Sequence, residues 1–287
     1  ALPICSKGTP KWNHYRVTCN NGVVKLAVNG KEVSGGQQCN YRKGYIALES
    51  EGGVVDYRNI RIKELPSSNP SPSEIAPLDE GFKSLYNGVN LSGWEMPKGS
   101  AGHWKASDWR LTYDGKSEAD EKNLWSEKSY RDFVLICDWR WPTKGEKRPV
   151  PVILPNGDYK LNSKGEQEMV EVQYPGDSGI YLRGNSKSQV NMWTWPIGSG
   201  EVYGYRNDPK QPAAVRKGVT PSEVADKPIG EWNRFIITMQ GKRLTVELNG
   251  KTVLLNALLP DVPAEGPIAL QHHGDPIEFA GIYIKEL

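Results

Sequence analysis

Two adjacent histidines, His272 and His273, are the residues best suited to acid–base chemistry in this sequence. They follow an apolar run in the stretch GPIALQHHGDPIEF, residues 266–279. An imidazole can take up a proton near neutral pH, because its ordinary pKa is about 6.5. Alternation along a predicted strand puts His273 on one face with Gln271, and His272 on the other face. We therefore predict His273 as a catalytic base, with Gln271 and His272 as contacts to a substrate.

Charged side chains on other predicted strands could assist such a base. Arg183 in YLRG and Arg140 in DWRW could hold substrate oxygens by charge-assisted hydrogen bonds, although a structural Arg–Asp pair is the alternative for each. Alternation puts Asp138 on the face of Arg140. Glu171 and Asp177, in VEVQYPGDSG, are further acids, with turn capping as their alternative. We predict catalytic roles for Arg183, Asp138 and Glu171, and substrate contacts for Arg140 and Asp177.

The stretch SQVNMWTWPIGSGEVYGYR, residues 188–206, is the richest in side chains that suit sugars. Indole rings stack on the faces of sugar rings, and amide side chains bond hydroxyl groups. A place in the core between two sheets is the alternative for the tryptophans. The predicted sugar contacts in and near this stretch are Tyr181, Gln189, Asn191, Trp193, Trp195 and Tyr203.

The composition favours an all-β protein. The 287 residues include 30 glycines and 21 prolines, which punctuate many short runs of β-branched residues. A net charge of +2 gives no reason to expect nucleic acid or an anionic membrane as a partner. No apolar run approaches the roughly 20 residues of a membrane helix. No signal peptide is visible and the chain starts without Met, so we interpret it as processed or trimmed.

The four cysteines are not spaced as zinc ligands. Three of them, Cys5, Cys19 and Cys39, lie in the first forty residues, where a disulfide is an open alternative if the protein is exported. Cys137, in FVLICDWRW, is predicted to be buried in a strand. We predict no cofactor and no metal in the site, and a structural Ca²⁺ ion stays open.

An internal repeat organises the chain. Residues 12–33, WNHYRVTCNNGVVKLAVNGKEV, align without a gap with residues 232–253, WNRFIITMQGKRLTVELNGKTV. Residues 44–65, GYIALESEGGVVDYRNIRIKEL, then align with GPIALQHHGDPIEFAGIYIKEL at the end of the chain. Both copies contain an Asn-Gly pair, which predicts a tight hairpin. Only the later copy has the two histidines.

The repeat divides the chain into three predicted parts. Residues 1–65 form the C-terminal portion of a first domain, residues 66–78 a linker rich in proline and serine, and residues 79–287 a complete domain. A few strands with one apolar face cannot bury that face alone. We therefore expect residues 1–65 to be completed by a further chain, by a symmetry mate or by the other domain; an added layer of a single domain is the alternative.

Many strands without a βαβ alternation predict an antiparallel β-sandwich for the complete domain. The segments GFKSLYNGVNLSGWE, DSGIYLRG, GSGEVYG and IALQHHGDPIEF, in that order, resemble the family catalogued as domain of unknown function 1080. The family is also described as 3-keto-disaccharide hydrolase. The resemblance covers nearly all of residues 79–287, and the repeat covers residues 12–65. It implies a concanavalin A-like jelly-roll fold and a bacterial, exported, carbohydrate-active protein with a carbohydrate ligand.

The resemblance also implies a particular chemistry. A ketone at C3 of a glucoside acidifies the hydrogen at C2, so a base can remove that proton, C1 can lose its aglycone, and water can then add. Relatives often have Glu and Gln within YEVQ where this chain has Gln189 and Asn191, so one carboxylate is absent here. The alternative function is therefore a non-catalytic carbohydrate-binding module of a larger exported protein.

Overall fold

The structure, a computed structural model, divides into two compact units, Ala1–Ser73 and Glu74–Leu287. The predicted linker, residues 66–78, lies outside the described residues. None of the described helices is long and apolar enough to cross a membrane. The structure describes residues 5–20, 22–37, 39, 45–65, 80–88, 90–107 and 109–287.

The first unit contains one antiparallel sheet of three strands, β1 (Tyr15–Asn20), β2 (Val23–Val28) and β3 (Lys31–Gly36). The turn between β2 and β3 is the predicted Asn-Gly pair. Asn29 and Gly30 have φ values of 51° and 89°, as a type I′ turn requires at both central positions. No strand is assigned to the described residues 45–65, and their large apolar side chains are exposed.

The second unit is built almost wholly of strands. Its two short helices among the described residues are α1 (Tyr203–Arg206) and α2 (Ala213–Gly218). The strands are β4 (Lys83–Ser84), β5 (Trp94–Glu95), β6 (Trp104–Ser107), β7 (Arg110–Asp114), β8 (Leu124–Tyr130), β9 (Phe133–Arg140), β10 (Glu146–Pro151), β11 (Met169–Tyr174), β12 (Ser178–Leu182), β13 (Asn185–Met192), β14 (Asn233–Gln240), β15 (Arg243–Leu248), β16 (Lys251–Leu258), β17 (Gly266–Leu270) and β18 (Pro276–Glu286).

These strands form two large sheets in which the neighbouring strands are antiparallel. The five-stranded sheet has the order β13-β12-β17-β8-β5. The eight-stranded sheet has the order β16-β15-β14-β9-β18-β7-β6, with β4 paired to β18. The strands β10 and β11 form a separate hairpin. The fold class predicted from the sequence, an all-β antiparallel sandwich of the concanavalin A-like kind, is confirmed.

The core lies between the two large sheets. Alternate residues of β9, including Cys137 and Trp139, belong to one buried cluster with Ile180 and Leu182 of β12. The predicted burial of Cys137 is confirmed. Because alternate residues of a strand point to opposite faces, Asp138 points away from this core.

Two strands end before the candidate site residues that follow them in the chain. Strand β13 ends at Met192, before Trp193 and Trp195, and a turn follows at Pro196. Strand β17 ends at Leu270. The backbone N–H of His272 donates a hydrogen bond to the side-chain oxygen of Asn123 at 2.9 Å, and not to a neighbouring strand. Strand alternation therefore does not orient the two histidines.

Candidate functional site

The end of β17 and the start of β12 bring three ionisable side chains together. The two strands pair antiparallel, so the segment after Leu270 meets the segment before Ser178. Asp275 Oδ2 accepts a hydrogen bond from the Asp177 N–H at 3.0 Å and lies 3.6 Å from His273 Nδ1. We call Asp177, His273 and Asp275 the acid–histidine cluster.

The cluster is electrostatically suited to proton transfer near neutral pH. Burial raises the pKa of Asp177 to about 6; the neighbouring His273 lowers it and the Asp275 carboxylate raises it. The His273 side chain is 46% exposed, so its ring can be reached from solvent. A carboxyl group that titrates near pH 6 beside an accessible imidazole can supply both an acid and a base.

Two amides and a phenol of β12, β13 and the end of β17 form a hydrogen-bonded row. Gln189 Nε2 donates to Gln271 Oε1 at 2.6 Å, and Gln271 Nε2 donates to the Tyr181 hydroxyl at 3.0 Å. The Gln189 side chain lies over Gly179, where an added Cβ would come within 2.4 Å of its Nε2. Gln189 can occupy this position because Gly179 has no side chain. We call Gln189, Gln271 and Tyr181 the amide ladder.

His272 has a different environment from His273. Its Nδ1 is hydrogen-bonded to the hydroxyl of Tyr113, and the two rings meet edge to face with centroids 5.5 Å apart. Burial lowers the pKa of His272, which favours the neutral ring. These contacts fix the ring of His272 in place. The more exposed imidazole of the pair is therefore that of His273.

Glu201 and Arg206 form a buried ion pair that the sequence reasoning missed. Both side chains are almost wholly buried, and the Arg206 Nε donates to Glu201 Oε1. Burial raises the pKa of Glu201 to about 7 although Arg206 lowers it, and the charge of Asp177 adds to the rise. The signal was an acid between the glycines of GSGEVYG, a segment in which the sequence analysis named only Tyr203. Asp275, in HHGDP, was missed as well.

Arg183 lies far from the acid–histidine cluster. It occupies the turn between β12 and β13 with φ 54°, whereas Asp177 precedes the other end of β12. Six residues of extended chain separate them by roughly 20 Å. Arg183 donates to Asp132 Oδ1 at 2.8 Å and to two backbone carbonyls, those of Gly241 and Pro263. The contacts are those of the Arg–Asp alternative.

Asp138 and Arg140 share a face of β9, as alternation predicts, but this is the outer face of the eight-stranded sheet. Asp138 binds Arg234 through both carboxylate oxygens, at 2.6 and 2.7 Å. Arg140 pairs with Glu278. The core of the sandwich separates this face from the amide ladder. Glu171 lies exposed on β11, in the separate hairpin.

The remaining predicted sugar contacts lie around the segment after β13. Asn191 is buried, and its backbone N–H donates to Glu201 O at 2.9 Å. Trp193 and Trp195 stack on each other with ring centroids 4.1 Å apart. Tyr203 meets Trp193 edge to face at 6.4 Å. Within the described residues, no group of three or more His, Cys, Asp or Glu side chains is placed to hold a metal ion.

Solved structures with a similar fold include two candidate glycosyl hydrolases from Parabacteroides distasonis. One is 23% identical with a TM-score of 0.49, over 72% of this chain and 84% of that chain. The other is 16% identical with a TM-score of 0.49, over 76% and 98%. A carbohydrate binding module from Bacillus subtilis is 14% identical with a TM-score of 0.39, over 68% and 96%. No curated protein matches this chain.

The family comparison covers both units of the chain. The family described as 3-keto-alpha-glucoside-1,2-lyase-like domains matches residues 4–63 and residues 81–285. The match includes the acid–histidine cluster, the amide ladder and the first-unit hairpin, and it confirms the resemblance stated from the sequence. The chain therefore belongs to the family of 3-keto-alpha-glucoside-1,2-lyase-like domains.

Proposed function

We propose that this carbohydrate-active chain is an enzyme that cleaves 3-keto-glucosides, including 3-keto-disaccharides, at the bond between C1 and the leaving-group oxygen. The observation that carries the proposal is the acid–histidine cluster, in which an exposed imidazole lies beside a carboxyl group with a pKa of about 6. Family membership supports the same chemistry. We also propose export, as the sequence resemblance implies.

The reaction we propose is an elimination followed by addition of water. His273 removes the C2 proton, and the C2–H electron pair delocalises into the C3 ketone as an enolate. The enolate electrons form the C1–C2 double bond as the C1–O bond breaks, and protonated Asp177 gives its proton to the leaving oxygen. Asp275, 3.6 Å from His273 Nδ1, stabilises the imidazolium that results. Water then adds across C1 and C2 and gives the free keto sugar.

The amide ladder supplies the polar groups that hold the sugar in this proposal. Gln189 and Gln271 together carry amide donors and acceptors next to the phenol of Tyr181. A sugar hydroxyl or the enolate oxygen can replace one of these side chains as the hydrogen-bond partner of another. The ring of Trp125, 5.8 Å from that of Tyr181, adds an apolar surface for a sugar ring.

The test is release of product from a 3-keto-disaccharide, measured beside its unoxidised parent. The wild type should cleave only the keto sugar, since only the ketone acidifies C2. His273→Ala should lower kcat by about 100-fold or more, the usual contribution of a positioned base, and Asp177→Asn should lower it by about 10-fold or more. His14→Ala, which removes an exposed imidazole in the first unit, is the matched control and should leave the rate unchanged. Full activity in His273→Ala would overturn the assignment of the base.

A second candidate function is carbohydrate binding without catalysis. The observation that favours it is Gln189, which stands where relatives resembling this chain often have Glu and which is engaged with Gln271 and with the carbonyl of Ser178. Calorimetric binding of the keto sugar without any cleavage would favour this function. In that case Gln189→Ala should weaken binding and Asp177→Asn should not.

A further inference from the structure

The hairpin of β10 and β11 carries a tyrosine that the reaction proposed above leaves unused. Strand β11 ends at Tyr174, three residues before Asp177 of the acid–histidine cluster. Between them, Gly176 lies against Asp275, since an added Cβ at Gly176 would come within 2.4 Å of the Asp275 Cβ. The end of the hairpin therefore adjoins the cluster. The sequence analysis did not name Tyr174.

The phenol of Tyr174 is a free hydrogen-bond donor beside the cluster. Its hydroxyl has no hydrogen-bond partner among the described residues, and the side chain is only half-buried, so a ligand can reach it. Burial raises the pKa of Tyr174 well above its ordinary value of 10, and the nearby charges of Asp177 and Asp275 raise it further. The hydroxyl therefore keeps its proton at every pH at which the cluster can work.

Arg148 holds the ring of Tyr174 from one side. In the register of the hairpin, Glu146 lies opposite Tyr174 and Arg148 lies opposite Val172. Arg148 and Tyr174 are therefore diagonal neighbours on one face of the hairpin. The guanidinium carbon of Arg148 lies 4.8 Å from the centre of the Tyr174 ring. The exposed Arg148 side chain has no hydrogen-bond or ion-pair partner among the described residues, so this cation–π contact orients the two side chains.

Two oxygens of the reacting sugar could accept a hydrogen bond from this phenol, the enolate oxygen and the leaving-group oxygen. The amide ladder already offers donors to the enolate oxygen. Tyr174 belongs to the segment that carries Asp177, the acid that protonates the leaving oxygen in the proposed reaction. A phenol near Asp177 is therefore near that oxygen. A neutral donor at this position stabilises the negative charge that develops as the C1–O bond breaks.

We propose that Tyr174 is a further catalytic residue, whose hydroxyl donates a hydrogen bond to the leaving-group oxygen while Asp177 gives that oxygen its proton. Tyr174 keeps its own proton throughout. Arg148 is a positioning residue, because it holds the Tyr174 ring and does not touch the substrate. The inference rests on the elimination proposed above. It also specifies the substrates, because the enzyme can then release poor leaving groups, such as alcohols, as well as phenols.

The experiment compares Tyr174→Phe with the wild type on the methyl and the 4-nitrophenyl 3-keto-glucosides. Methanol is a poor leaving group that needs a donor, whereas 4-nitrophenolate leaves without one. Tyr174→Phe should lower kcat/KM for the methyl glucoside by about 10-fold to 100-fold, the usual effect of a hydrogen bond to a charged group, and should leave the 4-nitrophenyl glucoside nearly unaffected. Tyr283→Phe, at a half-buried phenol on β18 near Arg234 and Asp138, is the matched control and should change neither rate.

Variants of Arg148 test its positioning role by the same comparison. Arg148→Gln should show the same dependence on the leaving group to a smaller extent, and Arg148→Lys should restore part of the rate, because an ammonium group also makes cation–π contacts. Lys147→Gln, on the opposite face of the hairpin, is the control and should change neither rate.

The outcomes separate this inference from the proposed function. If Tyr174→Phe lost activity equally on both glucosides, or on neither, the role of Tyr174 at the leaving oxygen would be overturned while the elimination stood. If the wild type cleaved neither glucoside, the proposed function would fail and this inference with it.

Discussion

The two units each contain an Asn-Gly hairpin, and the turn asparagines of the two hairpins make the same hydrogen bonds. Asn29 and Asn249 have φ values of 51° and 53°. Each donates to a carbonyl 24 residues earlier, at 2.7 and 2.8 Å, and to an asparagine Oδ1 16 residues earlier, at 2.9 and 2.8 Å. This agreement, bond for bond, supports the proposal that residues 1–65 are the C-terminal portion of a second copy of the domain.

The same two hairpins differ completely in burial. Tyr15 and Val17 are 63% and 59% exposed, whereas Phe235 and Ile237, at the matching positions, are 0% exposed. The difference arises because β14 pairs with β9 and faces the five-stranded sheet, while β1 pairs only with β2 among the described strands. The comparison shows that a short sequence can fix a hairpin while its burial depends on distant strands.

The largest expected contrast lies after the hairpins. Residues 266–287 form β17 and the central strand β18, but no strand is assigned to residues 45–65. Amide hydrogen exchange in residues 266–287 should therefore be slower by about 1,000-fold or more, since core strands open only in near-global unfolding. Mass spectrometry of peptic peptides measures it. Equal protection in both segments would show that residues 45–65 have found partner strands.

Truncation of matching aromatic side chains should sharpen the contrast in burial. Phe235→Ala leaves a cavity in the core and should lower the free energy of unfolding of the second unit by about 3–5 kcal/mol. Tyr15→Ala removes an exposed ring and should change stability by no more than about 0.5 kcal/mol. Denaturant unfolding of the full chain measures both. A comparable loss in Tyr15→Ala would mean that the first unit is buried against a partner.

Asp177, in the second unit, should make the stability of the protein depend on pH. Its pKa of about 6 lies above the ordinary 3.8, so between these values the folded protein binds more protons than the unfolded protein. Stability should therefore fall as pH rises through this interval. Asp177→Asn should reduce this dependence, leaving the part that the raised pKa of Glu201 contributes, and should gain about 2 kcal/mol at pH 7, allowing for partial exposure.

A carboxyl group of opposite shift provides the control for that measurement. Hydrogen bonding to Lys187 lowers the pKa of Asp208 to about 2, so its contribution is present above pH 3.8 and is lost as pH falls through about 2. Asp208→Asn should therefore be less stable than the wild type at neutral pH. Stability that rises with pH between 4 and 6 in the wild type, relative to Asp177→Asn, would contradict the assignment.

The smallest difference between the two units is expected at the glycines of the two hairpin turns. Gly30 and Gly250 have φ values of 89° and 80°, and an added Cβ would meet nothing within 4 Å at either position. Gly30→Ala and Gly250→Ala should therefore each cost about 1 kcal/mol from the left-handed backbone alone. Exchange rates of the neighbouring hairpin amides measure both costs. A much larger cost at Gly250 would show that the turn depends on its surroundings.

The sequence by itself determined the local structure of this protein. The two-residue period of β9 predicted the buried Cys137 and the opposite face of Asp138, and the Asn-Gly pairs predicted both hairpins. Each of these features depends on residues close together in the chain, such as a turn that requires positive φ at two positions. The order of motifs also predicted the family and the sandwich fold.

Only the tertiary structure decided which side chains meet. The pairing of β12 with β17 brings Asp177 to His273 and Asp275, and the length of β12 keeps Arg183 at its other end. Trp139 and Trp141 join Trp193 and Trp195 across the sandwich, although about fifty residues separate the pairs in the chain. Strand pairing and burial depend on contacts between distant segments, which periodicity within one segment does not record. For the same reason, the raised pKa values of Asp177 and Glu201 follow from the packed structure.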